Sequence, residues 1–196
     1  MSDTPQFPRA AALVAMTLLG SGLACSTSFP LPPATAAVTS ATVTLWALTG
    51  TDLSHPSAYD VMNEEVARTD RTSLFDFAFD IRVDSVNDTT AVLLPRGTLG
   101  LYVDGGLQVT TQAYDSITAA PTSGYQDTLA LPVTVGTVVL AASRSETCNF
   151  GYVRPLYARM HITALDLVAR SITFDIVTDP NCGYRSLKVD SLPPTQ

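Results

Sequence analysis

The sequence predicts an all-β fold: an antiparallel β-sandwich, immunoglobulin-like or similar, of about 8–10 strands. Three observations carry that reading. Residues 74–84 alternate strictly, with Phe75, Phe77, Phe79, Ile81 and Val83 on one side and Asp76, Ala78, Asp80, Arg82 and Asp84 on the other. Period two with that contrast places one face on a core and the other, acidic, in water. Residue usage agrees: Thr and Val are abundant, fifteen Asp stand against three Glu, and Lys188 is the single lysine. Strands favour β-branched residues, whereas surface helices favour Glu and Lys. Finally, apolar runs recur between turn signals along most of the chain.

In order, the first strand is expected at 41–49, where β-branched and apolar residues alternate around Trp46. Trp46 reads as a core residue. A long connection follows, and within it residues 58–67 are the best helical candidate. After the alternating run at 74–84, strands are expected at 90–94, 98–103, 107–113, 127–133, 137–142, 156–165, 171–178 and 185–189. Asp104-Gly105-Gly106 lies between two of these and reads as a hairpin turn, because glycine tolerates the positive φ of tight turns. Asn87-Asp88, Pro95-Arg96-Gly97, Ser123-Gly124 and Asp179-Pro180-Asn181 supply further turns.

Composition narrows the function classes. Of 196 residues, 46% are hydrophobic and 15% charged, too apolar a balance for a disordered chain. The net charge is −7. A negative surface with scattered arginines repels phosphate backbones, so no nucleic-acid partner is expected. No polybasic run is present to hold an anionic membrane.

Residues 1–9 are polar and carry one positive side chain, Arg9. The stretch 10–24, from Ala10 to Ala24, holds no charge, and Cys25 follows it. A spanning helix needs roughly 20 apolar residues, so this stretch fits the apolar region of an export signal. Leu18-Leu19-Gly20-Ser21-Gly22-Leu23-Ala24-Cys25 resembles a bacterial lipoprotein signal, with Gly22 where that family prefers Leu. The resemblance covers residues 1–25 only. It implies cleavage before Cys25, lipidation of that cysteine, and a cell-envelope location with the lipid bilayer as partner. Gly22 and Ala24 equally satisfy the small-x-small rule of ordinary secretory cleavage, which would give a periplasmic or secreted protein. The organisation that follows is a signal peptide at 1–24, Cys25 with a Pro-, Ala-, Ser- and Thr-rich flexible linker at 25–40, a β-sandwich domain at 41–192, and a tail at 193–196.

Setting Cys25 aside leaves Cys148 and Cys182 as an even pair. In an oxidising compartment they are expected to form a disulfide, worth roughly 3–4 kcal/mol for the loop closed.

The chemistry-bearing residues are sparse. His55 precedes a proline and His161 lies in an alternating run; neither accompanies a nucleophile motif or a metal-binding spacing. The loop acids Asp52, Asp60, Glu64 and Glu65 lack the spacing of a calcium loop. No catalytic residue, metal or cofactor is expected, and the role read here is non-catalytic binding or structural work, with an envelope protein or glycan as partner. Tyr114 and Tyr125 flank a Thr/Ser/Pro-rich loop and are the weak candidates for a ligand-binding surface. Two other readings stay open: a carbohydrate- or peptide-binding module, and a secreted hydrolase whose site assembles in space around a histidine.

Overall fold

The structure is a computed structural model and describes residues 31–83, 89–147, 151 and 153–194. Its strands are β1 (Thr39–Trp46), β2 (Ala58–Asp60), β3 (Glu65–Ala67), β4 (Phe77–Val83), β5 (Thr89–Pro95), β6 (Gly106–Thr110), β7 (Leu131–Pro132), β8 (Val138–Ala142), β9 (Glu146–Thr147), β10 (Val153–Arg154), β11 (Tyr157–Asp166) and β12 (Ser171–Asp179). They form two five-stranded antiparallel sheets, β1-β12-β11-β8-β6 and β3-β2-β4-β5-β7, with β9 and β10 as a separate hairpin. The fold is the expected antiparallel sandwich.

Period-two patterning places the core. Val43, Leu45, Phe174, Ile176, Met160 and Ile162 project inward from the first sheet, and Tyr59, Phe77, Phe79, Ile81 and Leu93 from the second. Tyr59, Phe77 and Phe174 meet at the centre with ring centroids 5.8–6.0 Å apart. Both outer faces are partly covered as well. Val38, Ile117, Ala120 and Leu187 close over Val138, Leu140 and Val177 of the first sheet. Ala58, Ala67, Phe75, Ala78, Val92 and Leu94 form a third cluster on the second sheet. Phe75, expected on the inner face, belongs to this outer cluster because β4 begins only at Phe77, so the alternation does not reach it.

Two acids expected on a solvated face of β4 are not solvated. Asp76 and Asp80 are buried. Asp80 Oδ1 accepts from the amide and hydroxyl of Thr49, at 3.1 and 2.8 Å. Asp76 accepts from the amides of Val61 (2.7 Å) and Arg144 (2.6 Å). The buried Arg144 guanidinium bridges Asp60 at 2.8 Å and Asp76 at 3.4 Å. A carboxylate can leave water when amides and a guanidinium replace its hydration, and all three come from other parts of the chain. Asp84 lies outside the described residues.

Other elements also differ from expectation. Residues 58–67 are not a helix but the β2–β3 hairpin. Asp60 Oδ1 accepts from the amides of Met62 (2.9 Å) and Asn63 (3.3 Å), and Glu64 takes φ +55°, so the turn is built by side-chain capture of the backbone. The strand expected at 98–103 is a 3-10 turn (Arg96–Leu99) ending at Gly100. Asp104-Gly105-Gly106 is therefore no hairpin. A Cβ on Gly105 would overlap the carbonyls of Ala142 and Ser143, and one on Gly106 would overlap that of Gln126. These glycines permit close backbone approach instead. Residues 127–133 contribute only β7, and 185–189 only an isolated bridge between Ala119 and Ser186.

The linker expected over 25–40 ends earlier than predicted. Asn181 Oδ1 accepts from the amides of Thr35 and Ala36, its side-chain amide donates to the Ala36 carbonyl, and the Tyr184 hydroxyl donates to the Pro32 carbonyl. Val38 is buried and β1 already begins at Thr39. At the other end Pro193, expected in the tail, is buried.

Candidate functional site: the outer face of the first sheet

Strand register arranges a polar row across the outer face of the first sheet. Thr42 pairs with Asp175, Asp175 with His161, and His161 with Val138. Thr42 donates its hydroxyl to Asp175 Oδ1 at 2.6 Å, and the Thr44 and Thr173 hydroxyls lie 2.9 Å apart.

A short 3-10 turn (Tyr114–Ser116) lies over this row. The Tyr114 ring stacks on His161 with centroids 5.4 Å apart and planes 29° apart. The Arg159 guanidinium carbon lies 4.5 Å from the Tyr114 centroid, and Arg159 Nη1 donates to the carbonyls of Tyr114 and Ile117. Cation–π attraction and two carbonyl acceptors hold this buried cation and dock the turn. Burial raises the Tyr114 hydroxyl above its ordinary pKa.

The docked turn separates two open grooves. One, of about 440 Å³, runs beside β1 and includes Ser40, Thr42, Asp115, Arg159 and Asp175 in its walls. The other, of about 530 Å³, has Thr110, Gln112, Thr137 and His161 among its lining. Tyr114 and Asp115 border both. Hydroxyls, carboxylates and one aromatic ring on an open sheet face make a binding surface of modest depth.

Tyr114, singled out from sequence, thus borders both grooves. Tyr125 does not join it there. Its hydroxyl donates to the Pro121 carbonyl at 3.1 Å and its ring lies 6.1 Å from Tyr157, where it helps cover the outer apolar cluster. Trp46 is not a core residue: it is half-buried on the outer side of β1, its ring stacked on His55 at 4.7 Å and 19°. The reason is parity, since Val43, Leu45 and Ala47 point inward and Trp46 must point outward.

Each histidine ring is stacked on an aromatic ring, His55 on Trp46 and His161 on Tyr114. No three His, Cys, Asp or Glu side chains gather as a metal site among the described residues, and no described helix is long and apolar enough to cross a membrane.

Cys25 and Cys148 lie outside the described residues. Cys182 packs against the main core with Sγ 3.6 Å from the Arg154 carbonyl oxygen, and Arg154 pairs with Glu146, two residues before Cys148.

The groove's carboxylates could not have been located from sequence. Asp175 alternates with apolar residues like any strand acid, and only register brings it beside Thr42. No protein-family model matches this chain, and no curated protein matches it.

Proposed function

We propose that this chain is an exported cell-envelope protein, anchored through lipid on Cys25, whose β-sandwich has a non-catalytic binding role. The observation that carries the proposal is the charge-free stretch 10–24 ending at Cys25. One acyl chain gives marginal membrane residence, and lipoprotein modification supplies more than one. The open grooves beside Tyr114, lined by hydroxyls and carboxylates, support binding as the domain's work. The proposal includes a Cys148–Cys182 disulfide, supported by the position of Cys182 beside the β9–β10 hairpin.

The test is mass spectrometry of the protein from native membranes, digested without reduction, beside fractionation of Cys25→Ala. The expected result is a lipid-modified Cys25 peptide, a cross-linked Cys148–Cys182 peptide, and release of the variant into the soluble fraction. A variant still bound to membranes sinks the anchor. A full-length chain with reduced cysteines overturns both export and the disulfide.

A further inference from the structure

We propose that the free edge of β1 is a docking site for an extended peptide carrying basic side chains, which adds to the first sheet as a sixth strand. This takes the binding role as its premise and is independent of the lipid anchor.

Among the described residues the edge is open along its middle. The Val38 amide donates to the Ser191 carbonyl and the Trp46 amide to the Pro56 carbonyl, both away from β12. Alternate residues of a strand send their backbone groups to the same side. Ser40, Thr42 and Thr44 therefore direct N–H and C=O groups outward between those two closed ends. Among the described residues β1 has β12 as its sole strand neighbour.

The remaining edges are shielded or short. β6 exchanges two backbone hydrogen bonds with Gln126 through Leu107. β3 has three residues and β7 two. Natural sheets blunt their edges with lysine, proline, bulges or covering segments. The eight residues of β1, TSATVTLW, carry no charge and no proline, and their pairing with β12 is free of register shifts.

Charge selects the occupant. An added strand would lie roughly 4.8 Å beyond β1, with alternate side chains on the outer face. A side chain opposite Thr42 then reaches over it toward Asp175, within the 440 Å³ groove that Asp115 also lines. Glu64 accepts from the Thr39 hydroxyl at 2.6 Å on the inward-facing side of β1, and the Asp190 amide donates to the Val38 carbonyl at the closed end. On the outer face, Asp115 and Asp175 thus line the groove that the added side chains would enter. Among the described residues the one cation lining the groove, Arg159, is buried and bonded to carbonyls. Lysine or arginine at alternate positions of the incoming strand complements these two carboxylates. A second copy, pairing β1 against β1, would bring the same acids together in a chain of net charge −7.

The probe is an acetylated, amidated peptide alternating Val and Lys over the length of β1, titrated into the full chain. Amide exchange is followed by NMR. Ser40, Thr42 and Thr44 amides are expected to gain protection of at least about tenfold, and an alternating Val–Glu peptide to give none. Ser40→Pro removes one outward donor at an exposed edge position where proline is tolerated. It should weaken binding about tenfold or more with an unchanged melting temperature. Asp175→Asn should weaken it several-fold and flatten its salt dependence. Equal binding of both peptides, or binding indifferent to both substitutions, overturns the proposal. So does protection of the three amides that rises with protein concentration without peptide, which would assign the edge to a second copy. Loss of the anchor in Cys25→Ala leaves all of these readouts unaffected.

Discussion

Asp76 sits at the point where three parts of the chain meet. Burial pushes its carboxyl up to about 6, against the pull of the Arg144 and Val61 amides and the Arg144 guanidinium. The ordinary aspartate value is 3.8. Between those values the folded state holds the proton that the unfolded chain has lost. Stability from this group is therefore full below about 4 and is lost as pH rises through about 6. Asp179, raised by burial, acts in the same direction. The melting temperature should rise as pH falls from 7.5 to 5, by the equivalent of about 1.4 kcal/mol from Asp76, and the rise should be reduced in Asp76→Asn. A flat profile in the wild-type chain would contradict this. Arg144→Met leaves Asp60 and Asp76 buried without the guanidinium. It should cost about 3–5 kcal/mol in urea unfolding and steepen the pH dependence. This cluster was invisible in the sequence, because alternation says which side a residue faces but not whether that side is wet.

Strands that run long enough for period two to repeat were legible. β4, β5, β8, β11 and β12 lie within a few residues of their expected positions. Those of two or three residues were not: β2, β3, β9 and β10 hold too few residues for alternation to register. The β2–β3 hairpin looked helical because Ala58, Met62, Glu64, Glu65 and Ala67 are good helix formers. Burial of Tyr59 and Val61 and the Asp60 turn outweigh that preference. Gly105 and Gly106 were legible as special but not in their role. Gly105→Ala should cost well over 2 kcal/mol, since its Cβ meets backbone and its φ is +81°. Gly100→Ala, at φ +73° with nothing near its Cβ, should cost only about 1 kcal/mol. Chemical unfolding of the two variants checks the contrast, and equal costs would show that the turn at Gly105 can shift.

For the molecule as a whole, the sandwich class followed from composition and alternation, while the coverage of both outer faces did not. Segments 114–125 and 185–191 have little regular structure yet supply Ile117, Ala120 and Leu187 to a buried cluster. Their apolar residues are too sparse to show a period. Tyr114 was legible as a groove residue because it sits among polar loop residues, but its partners Arg159 and His161 arrive through β11 from far along the chain. The proposed disulfide acts at this scale too. Cys182→Ser should lower stability by roughly 3 kcal/mol under oxidising conditions and change nothing under reduction.

The segment just before β1 is fastened by Asn181 at Thr35 and Ala36 and by Tyr184 at Pro32. A mechanical load applied from the upstream end would reach those few hydrogen bonds before it reached the sheet. They act as a fuse. Giving way in sequence, they would pay out residues 32–37, roughly 20 Å of chain, while Val38 stays held by Ser191 and Asp190 and β1 stays paired with β12. A protein held at one end and gripped by a partner at the edge of its sheet would thereby gain slack before it lost structure.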